Sequence, residues 1–308
     1  MDHLLAMRVF GRVVETGGFA RAADGLRLPK STVTKLVQAL EAQLGVRLFE
    51  RTTRRVSVTA EGAAYYERTR HWLAELDDFE TTLASGSASP TGTLRIDTGG
   101  SVAAGLILPA LPAFRERYPG IRLQVGVSDR TLDLIGEGID CAIRSTAHDP
   151  NLVARHIVDL PWTTCASPDY LARHGTPTHP DDLARDGHDV VGYFSARTGR
   201  AHPLRFTDRE RSAEDGLVLS VEVNESNAHT AAAVAGLGIV QTFTFAVAPY
   251  LASGALVAVL DAWQPAPLPA YLVYPADRRN NARLRAFLDW ITEVLPERAN
   301  AADHFKPS

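Results

Sequence analysis

Residues 28–59 read LPKSTVTKLVQALEAQLGVRLFERTTRRVSVT, and this stretch decides the fold of the first part of the chain. After Pro29, the apolar residues Val33, Leu36 or Val37, Leu40 and Leu44 recur at helical spacing and define one buried face, with Ser31 as the expected N-cap. The opposite face carries Ser31, Thr34, Lys35 and Gln38. Beyond this helix the chain alternates as a strand from Leu48 to Arg51, breaks at the polar, basic TTRR, and resumes as a strand through Val56 and Val58, so a hairpin is expected.

Upstream, Leu5, Val9 and Val13 lie four apart with Ala6 and Phe10 beside them, one apolar face of a helix that Gly17 and Gly18 stop. A second short helix, FARAADGL, is rich in Ala and permits close helix contact, and Arg27 to Pro29 then turns the chain. Two helices joined by a tight turn, with a polar and cationic outer face on the second, form a helix-turn-helix whose second helix can enter a major groove. Ser and Thr hydroxyls and a Gln amide exchange hydrogen bonds with base edges, and Lys reaches guanine or phosphate. Lys30, Ser31, Thr32, Thr34, Lys35 and Gln38 are the expected groove residues. Arg51, Thr53, Arg54 and Arg55 place the hairpin as a wing against phosphates or a minor groove.

The charge supports that placement although the whole chain of 308 residues carries a formal net charge of -4. Residues 1–60 hold ten bases against five acids, or +5, which leaves 22 bases and 31 acids, or -9, for the remainder. A basic head on an acidic body suggests a nucleic-acid module joined to something else, because exposed charges farther apart than about 8 Å are largely screened. After the hairpin Thr59 can cap a long helix along which Tyr65, Trp72, Leu76, Phe79 and Leu83 repeat as a heptad seam, with Thr69 in the remaining position. The seam can pack on the protein's own body or on a second copy of the chain, and the acids between its apolar positions favour the second copy.

The stretch FARAADGLRLPKSTVTKLVQALEAQLGVRLFERTTRRVSVTAEGAAYYER resembles the N-terminal signature of LysR-type transcriptional regulators. GTLRIDTGGSVAAGLILPALPAFRERYPGIRLQVGVSD and AAVAGLGIVQTFTFAVAPYLASGALVAVL resemble the opening and late parts of that family's effector-binding region, so the resemblance spans nearly the whole chain. Pro29 and Lys30 stand where the family often has Ser and Gln. The resemblance implies a winged helix-turn-helix (residues 1–59), a linker and dimerisation helix (60–84), a flexible linker (85–93) and an α/β effector-binding domain. That domain has two subdomains, 94–163 with 268–295, and 164–267, like a type 2 periplasmic binding protein, before a tail at 296–308. The body's own pattern agrees: strand-like runs at 94–97, 121–128, 141–144, 162–167, 189–194, 217–223, 239–243 and 270–274 alternate with helical ones near 102–118, 132–137 and 282–295.

Ligands of open α/β sheets lie beyond the carboxyl ends of strands, where helix N-termini offer N–H groups to anions. Those positions are Thr98, Gly100 and Ser101, then Ser128, Arg144 and Ser145, then Phe194, Ser195 and Asn227, with Arg144 as the expected charge partner of a carboxylate-bearing effector. Cys141 and Cys165 sit in apolar, strand-like surroundings and read as buried thiols. No catalytic motif such as G-x-S-x-G, G-x-x-x-x-G-K-[ST] or H-E-x-x-H occurs, and no cofactor or metal is expected. The first residues lack a secretory pattern, which leads to the expectation of a cytoplasmic chain without a membrane segment. The reading is an effector-responsive transcriptional regulator whose partners are double-stranded promoter DNA, a small carboxylate or aromatic acid, and copies of itself as a homodimer and homotetramer, with RNA polymerase as a further partner. The rival is a cytosolic binding protein or enzyme on the same two-lobed fold whose N-terminal helices serve only dimerisation; the basic head and Arg-tipped wing weigh against it.

Overall fold

The computed structural model describes residues 2–51, 56–85, 90–130, 132–145, 151–208, 210–212 and 215–301. They form two compact units, a head of Met1–Ser89 with Ile135–Gly138 and a body of Pro90–Leu134 with Ile139–Ser308.

In the head, α1 (His3–Thr16) starts where the Asp2 carboxylate accepts the Leu5 N–H at 3.0 Å and stops at Gly17, whose left-handed φ of 65° suits a residue without Cβ. α2 (Phe19–Leu26) ends at Arg27, also left-handed. The helix α3 (Lys30–Leu44) has no side-chain cap: Pro29 holds the cap position, and its carbonyl accepts from Thr32 at 2.9 Å and Val33 at 3.2 Å. This corrects the expected Ser31 cap. Proline presets φ and brings no N–H to satisfy, so the helix starts directly behind it and Ser31 falls inside the first turn.

β1 (Phe49–Arg51) and β2 (Val56–Val58) pair antiparallel, with Phe49 opposite Val58 and Arg51 opposite Val56. β1 begins one residue later than expected, and the Leu48 and Phe49 N–H groups go to the Glu41 carboxylate, at 2.9 and 3.2 Å. That contact fixes the hairpin to the end of α3. Thr59 caps α4 (Ala60–Ser85) as expected, its hydroxyl oxygen accepting from the Gly62 N–H at 2.9 Å. Val9, Phe10 and Val13 of α1, Ala22 and Ala23 of α2, Val33, Val37 and Leu40 of α3, and Leu48 and Phe49 form one core. Each large side chain buried there contributes about 1.5–3 kcal/mol.

From Gly92 the chain runs β3 (Gly92–Thr98), α5 (Gly100–Val102), α6 (Leu111–Arg117), β4 (Ile121–Val127), α7 (Leu134–Glu137), β5 (Cys141–Arg144) and β6 (Leu152–Leu160). It continues as β7 (Trp162–Ala166), α8 (Pro168–His174), α9 (Asp182–Arg185), β8 (Asp189–Tyr193), β9 (Leu204–Arg205), β10 (Glu210–Arg211) and β11 (Val218–Val223). The last elements are α10 (Ser226–Val234), β12 (Val240–Phe243), α11 (Thr244–Ala252), β13 (Val257–Ala258), β14 (Leu268–Pro275) and α12 (Ala282–Ala301).

The body has two lobes. One holds a five-stranded sheet in the order β4-β3-β5-β14-β6, with β3 parallel to β4 and β5, and β14 antiparallel to β5 and β6. Its core centres on Phe114, Phe287 and Trp290, and Phe114 meets Trp290 edge-on at 5.0 Å. The other lobe holds the antiparallel sheet β12-β7-β13 and the parallel pair β11-β8, joined through a bridge between Val190 and Ile239. The chain passes between lobes at Pro161 and returns through β14.

Several boundaries move. Gly92 and Thr93, expected in the linker, pair with Ile121 and Arg122. Trp162 and Thr163, expected in the first subdomain, pair with Phe243 and Thr242 of the second. The single helix expected near 102–118 is instead α5, a π-turn over Ala103–Ile107, a 3-10 turn over Leu108–Ala110 and α6, because Pro109 and Pro112 supply no N–H to a continuous ladder. α12 runs past the expected end at Leu295, and past Pro296, because Leu295 and Ala299 are both buried in the core. Cys141 and Cys165 are buried free thiols, and burial pushes the Cys165 thiol up to about 12. Among the described residues no helix is long and apolar enough to cross a membrane.

Candidate functional site

Two surfaces can carry function, one on each unit. On the head, α3 buries Val33, Val37 and Leu40 and thereby turns its other face outward. Lys30, Ser31, Lys35 and Gln38 are exposed and Thr32 and Thr34 partly so. Among the described residues, none of these six side chains spends its hydrogen-bonding groups inside the protein. The sequence-expected groove face is thus one surface with its polar groups free. Arg51 belongs to β1, opposite Val56, though its side chain lies outside the described residues, as do Thr53, Arg54 and Arg55 altogether.

The seam on α4 is divided. Tyr65 packs edge-on against Phe10 at 5.6 Å and lies half-buried against the head's own core. The helix enters from the Thr59 cap, so its first turns lie against α1. Further along, Trp72 is 56% exposed and Leu76 partly exposed, while the side chains of Phe79 and Leu83 lie outside the described residues.

In the body a cleft of about 1200 Å³ opens between the lobes. Of the expected ligand positions, Ser101, Ser128, Arg144, Ser145, Phe194 and Ser195 line it. Thr98, Gly100 and Asn227 do not. Thr98 is buried with its hydroxyl unpartnered among the described residues. Gly100 has no room to spare, since a Cβ there would lie 2.1 Å from Glu225 Oε1. Asn227 gives its amide to that same carboxylate at 2.9 Å, and Glu225 accepts the Asn227 and Ala228 N–H groups as the cap of α10. Arg144 lines the cleft already paired with the buried Asp97, so it does not meet a ligand as a free cation. Burial nevertheless holds the Asp97 carboxyl above its usual range, against the pull of Arg144.

Other residues supply what those positions lack. Trp162 and Phe243 stack at 4.6 Å along one wall of the cleft, an apolar surface suited to a ring. Arg130, Arg197 and Arg200 are exposed lining residues, and among the described residues they make no ion pair. No local sequence signal marks them; they sit in loops whose convergence needs the fold. Asp129, at the end of β4, accepts from Gly100 N–H at 2.7 Å, Ser226 N–H at 2.6 Å and the Tyr193 hydroxyl at 2.9 Å. Burial first, then this carboxylate, pushes the Tyr193 phenol far up, so it stays a donor.

His229 of α10 also lines the cleft, buried, with Nε2 donating to the Val191 carbonyl at 2.9 Å. Burial lowers its pKa below the ordinary value, as it does for His188. The unfolded chain therefore binds more protons than the folded one between the folded-state pKa and about 6.5, and stability falls as pH drops through that window. The thermal midpoint of the body is expected to fall between about pH 7.5 and 5.5, and His229→Asn to remove up to about 1.4 kcal/mol per pH unit of the slope. Scanning calorimetry across that range checks it; an unchanged slope in the variant would contradict it.

A helix-turn-helix head with a two-stranded hairpin, carried on a two-lobed α/β body with a cleft, defines the class of ligand-sensing bacterial regulators. Residues 4–63 match the bacterial regulatory helix-turn-helix protein model of the lysR family, and residues 87–296 match the LysR substrate binding domain. The chain belongs to the LysR-type transcriptional regulators. It is 39% identical over 301 residues to an HTH-type transcriptional repressor of Pseudomonas aeruginosa, covering 96% of this chain and 93% of that one. It is 34% identical to the HTH-type transcriptional regulator CrgA of Neisseria meningitidis, over 94% of this chain and 96% of that one. The solved structure of CrgA aligns with a TM-score of 0.60 at 33% identity, covering 94% of this chain and 98% of that one. The full-length structure of AphB, a Vibrio cholerae virulence activator, aligns at 0.60 and 26% identity over 96% and 100%. These relatives are named regulators, which bears out the reading of the chain as a regulator rather than an enzyme.

Proposed function

We propose that this regulator binds promoter DNA through the outer face of α3 and the wing, as a homodimer assembled along α4 and further as a homotetramer, in the cytoplasm and in reach of RNA polymerase. The observation that carries it is the free polar face: Lys30, Ser31, Thr32, Thr34, Lys35 and Gln38 on a helix fixed from behind by a buried core. Thr34 and Gln38 read base edges; Lys30 and Lys35 neutralise phosphates. The exposed Trp72 and the partly exposed Leu76 are the described part of the assembly seam. Lys35→Ala is expected to weaken binding alike on all sequences and to lower the salt slope by about one, whereas Thr34→Ala changes which sequences are preferred. Fluorescence anisotropy on a panel of duplexes separates the two; equal effects on every duplex from both variants would contradict the assignment.

The effector is a small aromatic or otherwise apolar acid. The stacked Trp162 and Phe243 suit its ring, and Arg130, Arg197 and Arg200, rather than Arg144, attract its charge. A ligand that holds one arrangement of the lobes better than another shifts the population, and the lobes transmit the shift to the paired heads. Thermal shift with a panel of aromatic and aliphatic acids tests it, since a bound ligand stabilises by mass action.

A further inference from the structure

The seat expected for an effector carboxylate is already filled by the chain. Asp129 follows β4 on the lobe of the five-stranded sheet, and its Oδ1 accepts the Gly100 N–H of that same lobe at 2.7 Å. Its Oδ2 reaches across to the other lobe and accepts Ser226 N–H at 2.6 Å and Tyr193 O–H at 2.9 Å. Beside it, the Ser226 hydroxyl oxygen accepts the Ser101 N–H at 2.7 Å, a second tie between the lobes. The approach requires glycine: a Cβ on Gly99 would lie 2.8 Å from Asp129 Oδ1.

We propose that Asp129 is an internal carboxylate that latches the two lobes of the body, and that an effector carboxylate acts by taking its place. The latch stands on the geometry; the displacement rests on the effector reading above. Three donors converge on one carboxylate, and a second carboxylate brought beside it would be repelled while finding those donors spent. Occupation of the seat is therefore exclusive: either Asp129 bridges the lobes or an incoming anion does. Arg130, next in the chain and exposed in the cleft, is placed to draw such an anion towards the latch.

The full-length Asp129→Ala variant tests this, with sodium formate as the probe and sodium chloride at equal ionic strength as the control. Loss of the three bonds is expected to lower the thermal midpoint by about 3–8 °C. Formate, a free carboxylate, is expected to recover at least about half of that loss where chloride does not, and to leave the wild type unchanged. A variant as stable as the wild type, one that formate does not restore, or one that chloride restores as well as formate, overturns the proposal. Should Asp129→Ala not fold, Asp129→Asn keeps the shape but turns an amide N–H₂ towards donors. Hydrogen exchange at whichever of the Gly100 and Ser226 amides then faces the N–H₂ is expected to quicken about tenfold, and wild-type protection at both would overturn the latch. Neither readout uses DNA, so failure of the latch and failure of the regulator reading are separately visible.

Discussion

Phe10→Ala is expected to unfold the head and abolish DNA binding while the body stays folded. Phe10 is fully buried and meets Phe49 at 5.3 Å, Tyr65 at 5.6 Å and Tyr66 at 6.4 Å, so it joins α1, the hairpin and α4 at one point. Truncating a buried Phe costs about 3–5 kcal/mol, and a domain of this size has only about that much stability in total. Calorimetry of the full chain should show the head's transition lost and the body's retained, with DNA binding gone. A variant that binds DNA as the wild type does would mean that Phe10 does not hold these elements together.

The second large effect is expected at Arg278→Met. Arg278 donates to the carboxylate of Asp140, which is 3% exposed and also accepts the Arg95 N–H at 2.7 Å. This pair ties the turn after β14 to the residue that leads into β5. Burial already holds the Asp140 carboxyl above its usual range, while the Arg95 N–H, Arg278 and Arg283 pull it back. Removing Arg278 strands a buried charge, a loss of about 3–5 kcal/mol and about 10 °C or more in midpoint. The folded-state pKa of Asp140 then rises further, so the folded chain binds more protons than the unfolded one and the loss eases as pH falls. Asp140→Leu in the same background should restore much of the stability, because apolar groups of similar volume can replace a buried pair. A double variant no more stable than Arg278→Met would contradict that account.

The head was legible in the sequence because its information is local. Val9, Phe10 and Val13 and then Val33, Val37 and Leu40 repeat within single helices, and the core they form is the one their spacing implies. The Ser31 cap failed as an expectation because a strong proline at the preceding turn outweighed a good capping residue. In the body, strand β6 escaped notice: Ala154, Arg155 and His156 are exposed in mid-strand and break the apolar pattern of an edge. The cleft was legible as a place and not as a membership. Asp129 and Ser226 are 97 residues apart, and nothing near either says that one will accept the other's N–H. Arg144 looked like a ligand's partner because its own partner, Asp97, lies 47 residues upstream.

Binding of the full chain to duplex DNA from its own upstream region across a salt series decides whether an acidic chain holds a polyanion through its basic residues 1–60 and the free polar face of α3. Counterion release from paired heads predicts a loss of about a thousandfold in affinity between about 50 and 200 mM salt. Affinity unchanged across that range, or no binding at the lowest salt, would contradict it.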